Sequence, residues 1–298
     1  MKLVTNPADV QTALASAEKR GPCRRVLMAT PDYFTIESAI NPWMQDADGK
    51  LNRVDAAKAR QQWDALADAY RGIGVQVELI EGQPELPDFC FAANQSLVCR
   101  SASGSPIAVM SEMASDTRRT EVAHFRRWYE AQGFTVVDCP PDLRPFEGTG
   151  DAIRHHGRHA FWGGVGPRTS LDAWNFVAET TGACVIPLNL RDPHFYHLDT
   201  CLAVLSPRAA LYVPAAFDDA GRSLLAAGFD DLIAVSNHDA ANFACNAHCP
   251  DGTHVLIQQG SGQTLEALVK RGFTVIELDT SEFMKSGGSV FCLKQELP

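Results

Sequence analysis

The sequence has no apolar run long enough to cross a bilayer. Uninterrupted stretches such as Ala203-Val204-Leu205 fall far short of the roughly 20 residues a spanning helix needs. It also lacks any surplus of basic charge: 298 residues carry 26 Lys+Arg against 36 Asp+Glu, a formal net charge of -10. An acidic chain repels phosphate backbones and anionic lipid, so neither nucleic acid nor a membrane is an expected partner, whereas a cationic small molecule is attracted. No apolar leader opens the chain, since Lys2, Asp9, Glu18, Lys19 and Arg20 interrupt its first twenty residues; the cytoplasm is the expected compartment. There is no Walker loop, and Gly163-Gly164-Val165-Gly166 lacks the glycine spacing of a dinucleotide site. No organic cofactor is expected.

Nine cysteines are present, an odd number scattered through a large chain without a secretory leader. That argues against a disulfide framework and for small buried hydrophobes, with few cysteines left for chemistry. Cys245-Asn246-Ala247-His248-Cys249 with His254 offers soft ligands, but the spacing matches no common zinc pattern, so no metal is expected. His155, His156 and His159 are expected in a solvated polar turn.

Five times a helix-like stretch ends at a glycine and is followed by a short apolar run. The helices are expected over 57–71, 121–131, 172–181, 220–227 and 264–271, the glycines are Gly74, Gly133, Gly182, Gly228 and Gly272, and the strands run over 75–80, 134–137, 183–186, 232–235 and 273–278. Glycine just past a helix end is the usual left-handed cap. Five in series imply units of about 60 residues, none able to bury its apolar faces alone, so that five pack around a common centre. The expectation is one α/β domain over 1–298, a closed five-bladed barrel or propeller. A doubly wound α/β sheet shares the same alternation.

In a five-fold arrangement the segments after the strands converge on the axis. They bring Asp88 or Asn94, Glu147 and Asp151, His197 and Asp199, Asn246 and Cys292 towards one cavity. Cysteine and histidine supply a nucleophile and a proton carrier. Carboxylates match the planar fork of a guanidinium, so an electrophilic guanidinium carbon between Cys292 and the acids is the implied substrate geometry. His197-Leu198-Asp199 is expected on a strand, which would turn both polar side chains to one side. Gly287-Gly288 permits a tight backbone beside a ligand.

Three ordered motifs, Phe146-Glu147-Gly148-Thr149-Gly150-Asp151, His197-Leu198-Asp199-Thr200 and Gly287-Gly288 followed by Cys292, together with Ile40-Asn41-Pro42-Trp43-Met44, extend over nearly the whole chain. With them the chain resembles the guanidino-group-modifying enzymes: arginine deiminases, dimethylarginine dimethylaminohydrolases and amidinotransferases. The resemblance implies a five-bladed ββαβ propeller, the pentein fold, with pseudo-five-fold symmetry. It implies Cys292 as nucleophile, His197 as general acid and base, Glu147 and Asp199 holding the guanidinium, and Asp151 supporting them. Arg168 looks like the arginine that pairs with a substrate carboxylate, Arg118 or the adjacent Arg119 like a second such residue, and Asn41, Asp88 and Asn246 join the binding set. Where deiminases and dimethylargininases resemble Phe-x-x-Asp, this chain has Phe91-Ala92-Ala93-Asn94, which looks most like the arginine dihydrolase branch. An amide bonds a guanidinium without neutralising it. The implied partner is a small guanidino substrate and a homo-oligomer stays open. An amidinotransferase shares the covalent thiouronium intermediate; a non-catalytic propeller related to a ribosome-associated initiation factor is disfavoured by Cys292, His197 and the acidic charge.

Overall fold

The computed structural model describes residues 3–101 and 103–298. After α1 (Pro7–Ser16) the chain forms β1 (Arg25–Ala29), α2 (Ala56–Gly72) and β2 (Gln76–Ile80). Three units of identical order follow. These are β3 (Ser96–Arg100), β4 (Pro106–Met110), α3 (Arg119–Ala131), β5 (Thr135–Asp138); β6 (Ala152–Arg154), β7 (Ala160–Val165), α4 (Leu171–Thr181), β8 (Cys184–Asn189); and β9 (Leu202–Val204), β10 (Ala209–Tyr212), α5 (Asp219–Gly228), β11 (Asp231–Ala234). The last unit contains α6 (Asn237–Ala241), β12 (His254–Gln258), α7 (Gly262–Lys270) and β13 (Thr274–Leu278), and after α8 (Ser281–Met284) comes β14 (Gln295–Leu297).

Five small sheets result among the described residues: β14-β1-β2, β3-β4-β5, β6-β7-β8, β9-β10-β11 and β12-β13. In the three-stranded sheets the middle strand pairs antiparallel with the first and parallel with the last, the parallel link being made by the helix. One unit is split across the sequence, because β14 pairs antiparallel with β1, Val26 opposite Glu296. In another, the first strand shrinks to a single bridge between His248 and Leu256. The strands after the five glycines fall within a residue or so of expectation, save β8, which runs three residues further, to Asn189. The first and second strands of each unit lie outside the expected strands.

Helix starts have local causes. Asp55, Ser170 and Asp218 accept backbone N–H groups at the beginnings of α2, α4 and α5. On α2 the buried Ala59, Trp63, Leu66, Ala67 and Tyr70 form the stripe facing the sheet. Four of the five marker glycines have positive φ, Gly74, Gly133, Gly182 and Gly272, as a left-handed cap requires. Gly228 does not. It ends α5 with ordinary helical geometry, and a Cβ there would lie 2.4 Å from the Trp162 ring, so close packing is what needs the glycine.

These two causes predict opposite surroundings for one substitution. Gly133→Ala meets open space and is expected to cost about 1 kcal/mol through its backbone alone. Gly228→Ala is expected to cost more, about 2–3 kcal/mol by overpacking against Trp162, despite alanine's better helix propensity. Urea unfolding of the two variants gives the order.

Candidate active site

One candidate residue of each unit sits just ahead of its first strand: Asn94 before β3, Asp151 before β6, Asp199 before β9, Asn246 before the His248 bridge, Cys292 before β14. His197 and Asp199 are not on a strand. Leu198–Thr200 is a turn of 3₁₀-helix, as is Gly148–Gly150, and the tight turns let neighbouring polar side chains point in different directions.

Cys292 is buried with its Sγ 3.1 Å from Asp199 Oδ2 and 3.2 Å from Asn246 Nδ2. Asn246 Oδ1 accepts the backbone N–H groups of Ser289, Phe291 and Cys292 at 3.0, 3.1 and 3.2 Å, and its Nδ2 donates to the Asp199 carbonyl at 3.0 Å. Asn246 therefore shapes the cysteine turn and does not border the cavity, which corrects its expected place in the binding set. Gly287 has φ +88, and a Cβ on Gly288 would strike the Phe91 ring at 2.4 Å. Burial pushes the Cys292 thiol well up, and the Asp199 carboxylate raises it further. Burial likewise lifts Asp199, to about 7, against the smaller help of the thiol hydrogen bond and Lys294.

His197 Nε2 lies 2.7 Å from Glu147 Oε2. The same carboxylate accepts Arg168 Nη1 at 3.0 and 3.2 Å and the Ala114 N–H at 2.9 Å. Burial alone would raise Glu147; the hydrogen bond from His197 and the charge of Arg168 overcome it and hold the carboxyl at about 2. Glu147 is thus saturated by protein groups and stands behind His197, where the resemblance had it touching the guanidinium. Asp151 accepts the Leu198 N–H at 2.9 Å and the Thr169 hydroxyl at 2.7 Å, tying the His197 turn to the next loop; burial raises it to about 6.

A cavity of about 20 Å³, room for roughly one water, lies between these groups. Asn41, Asp88, Asn94, Arg118, Arg168, His197 and Cys292 border it; Glu147, Asp151 and Asp199, like Asn246, stand behind its wall. Asn94 Oδ1 is taken by Arg118 Nη1 at 2.9 Å, while its buried Nδ2 has no partner. Arg118 is itself paired with Glu121 at 2.9 Å, and Arg168 Nη2 donates to the Ile40 carbonyl at 2.7 Å, so neither arginine is idle. Asp88 Oδ1 accepts the Ser286 hydroxyl at 3.3 Å, and burial raises its carboxyl while Arg118 opposes the rise. Asn41 Nδ2 donates to the Ser286 carbonyl at 3.0 Å.

Tyr196 and Ser286 also border the cavity and were missed. Tyr196 donates to the Gly287 carbonyl at 2.6 Å and carries the Arg168 guanidinium 5.2 Å from its ring centre. Both flank residues already singled out, which was the available signal. Buried Lys294, two residues past Cys292, has an unpartnered Nζ over the Phe291 ring. The expected polar histidine turn is partly wrong: His155 and His159 are 3% and 4% exposed, His155 packs on Trp162 and Phe229, and burial lowers it to about 4. All nine cysteines are buried and free. Among the described residues, one group has metal-ligand spacing, Cys23, His248 and Glu296, and it includes neither Cys245, Cys249 nor His254. His248 there bridges Tyr70 and Glu296 at 2.8 and 2.9 Å.

A buried thiol on a carboxylate and a histidine on a second carboxylate, meeting at one polar cavity, fit thiol chemistry on a small polar carbon centre. The family profile described as N,N dimethylarginine dimethylhydrolase, eukaryotic, matches residues 30–297. The chain belongs to this dimethylarginine dimethylhydrolase family. Within reach of it are the bifunctional arginine dihydrolase/ornithine cyclodeaminases AgrE of Nostoc sp. and ArgZ of Synechocystis sp., 35% and 36% identical over 90% of this chain. The chain spans only 37% of the length of either. An N(G),N(G)-dimethylarginine dimethylaminohydrolase of Mycobacterium tuberculosis is 35% identical over 95% of this chain and 89% of its own. The solved N-terminal domain of ArgZ, an arginine dihydrolase bound to substrate, superposes with a TM-score of 0.85 at 34% identity, covering 92% of this chain and 97% of that one. No helix among the described residues is long and apolar enough to cross a membrane.

Removing the acceptor of three buried N–H groups should loosen the cysteine turn. Asn246→Ala is expected to lower unfolding free energy by about 3 kcal/mol, measured by denaturant titration, because those groups are left unpaired.

Proposed function

We propose that this chain hydrolyses guanidino C–N bonds of L-arginine through a thiouronium on Cys292, and does so twice, giving ornithine, two ammonia and carbon dioxide. The observation that carries the double cleavage is Asn94. Its Oδ1 is occupied by Arg118, which leaves Nδ2, a donor, at the cavity. A guanidinium has only donors to offer and gains nothing from Nδ2, but a ureido oxygen accepts from it; a carboxylate at this position would repel that oxygen. The likeness to the substrate-bound and covalent-intermediate structures of the ArgZ N-terminal domain supports the same reading.

In the first cycle the cationic guanidinium faces Asp199 across the thiol, and its charge favours the Cys292 thiolate that burial and Asp199 otherwise suppress. The thiol gives its proton to His197 as the Sγ–C bond forms, His197 passes that proton to the departing nitrogen, and the C–N bond breaks to release ammonia. Water then gives its proton to His197 and adds to the carbon, and the C–S bond breaks to release citrulline. Glu147 orients the imidazole throughout. The ureido carbon is attacked in a second cycle. Arg168 borders the cavity, and its guanidinium suits a substrate carboxylate. Arginine exceeds the volume between these walls, and its entry requires wall side chains to move. We infer that the five units close as blades around this cavity, supported by their common strand order and by β14 joining β1.

A dimethylarginine hydrolase is the second reading, favoured by the mycobacterial relative's near full-length match. Purified protein with L-arginine and, separately, dimethylarginine distinguishes them. Ornithine with two ammonia per arginine is expected; citrulline alone indicates a deiminase, alkylamine from the methylated substrate the second reading, and no product from either an amidinotransferase or another guanidine. Cys292→Ser is expected to abolish turnover, and persisting activity would sink the mechanism.

The acid limb follows from Asp199. Its carboxyl is protonated below about 7 and then adds no negative charge behind Cys292 to draw a guanidinium. Accordingly kcat/KM for arginine is expected to rise about tenfold per pH unit up to about 7 and then level, measured by ammonia release in stopped assays. A flat profile from pH 5 to 8 would exclude Asp199 as the group.

A further inference from the structure

Thr149, in the turn whose Gly150 lies against Asn94 and His197, borders a second cavity of about 370 Å³ that shares no residue with the first. That volume is of small-ligand size. Five guanidinium side chains, Arg20, Arg24, Arg25, Arg100 and Arg154, border it against one acidic side chain, Glu296. In a molecule of net charge -10, five of 26 basic residues meet at one concavity. Arg154 is paired with Glu296 at 2.7 Å, Arg20 with Glu18 at 2.5 Å and Arg25 with Glu78 at a long 3.4 Å, which leaves Arg24 and Arg100, among the described residues, as the cations without an acidic partner. Arg20 and Arg25 each keep a buried Nε without a partner.

Apolar surface lines the rest, from Val98, Phe161 and Leu297. Gln295, 1% exposed in the same wall, has an unpartnered Oε1 that would accept a hydroxyl or N–H. Guanidinium forks match phosphate and carboxylate oxygens bidentately, whereas Phe161 and its neighbours match none of these. We propose that this cavity binds a small molecule in which a multiply charged oxyanion, phosphate or carboxylate, is carried on an apolar or aromatic body. The two sites are back to back across the Gly148–Gly150 turn, and the anion does not compete with arginine.

Isothermal titration of the full chain with ATP, pyrophosphate, citrate and adenosine tests this at low and physiological salt. ATP is expected to bind at least about tenfold more tightly than pyrophosphate, with adenosine alone inert; citrate outranking ATP would identify carboxylate as the source of the oxyanion. Arg24→Glu with Arg100→Glu, both at exposed positions, should weaken binding at least about tenfold. Saturating arginine on Cys292→Ser should leave it unchanged. Should the charge reversals disturb folding by circular dichroism, Arg24→Gln with Arg100→Gln replaces them. No heat with any ligand at about 1 mM, binding indifferent to these substitutions, or displacement by arginine would overturn the proposal. So would a change of mass in sedimentation on substitution without anion binding, which would make this face a contact between copies.

Discussion

The place of Cys292 at the candidate active site depends on the pairing of β14 with β1. Cys292 lies three residues before β14, and the Arg25–Leu297 to Leu27–Gln295 register fixes where the preceding turn can stand. Without that antiparallel contact between strands about 270 residues apart, the thiol would have no fixed relation to Asp199 or Asn246. Loop closure of this length is entropically costly, and it is offset by the apolar faces that each unit exposes until its neighbours cover them. The sheets are small; their burial is collective.

Inside that frame two buried carboxylates are driven apart. Glu147 and Asp199 are equally inaccessible, so desolvation raises both. Glu147 receives His197, Arg168 and a backbone N–H and ends at about 2; Asp199 faces a thiol and keeps Oδ1 without a partner, and ends at about 7. Environments that separate two like groups in this way divide the work between them. Its partners favour the charged form of Glu147, which suits it to hold an imidazole, and burial favours the neutral form of Asp199.

Much of this was legible. Helix stripes and glycine caps mark five units, because a helix against a sheet must bury one face and a left-handed end needs glycine. The chemistry-bearing residues are concentrated ahead of short strands, where a turn and not a ladder dictates the backbone. What escaped were the first and second strands of the units, the first being only three residues long in β6, β9 and β14, a length that carries no periodic signal. Gly228 was found for the wrong reason, its necessity lying in Trp162 and not in its own backbone angles.

The sequence by itself determined the inventory: a thiol, an imidazole, acids, an amide at position 94 and an acidic surface, in five repeated units. Only the tertiary structure decided their division of labour. Glu147 stands behind His197 because Arg168 reaches it from another loop, and Asn246 holds the Cys292 turn because three N–H groups need one acceptor. Asn94 offers its donor because Arg118 has taken its oxygen. Each of these is a competition for buried hydrogen-bond partners between segments distant in sequence, and residue type alone does not say which partner wins.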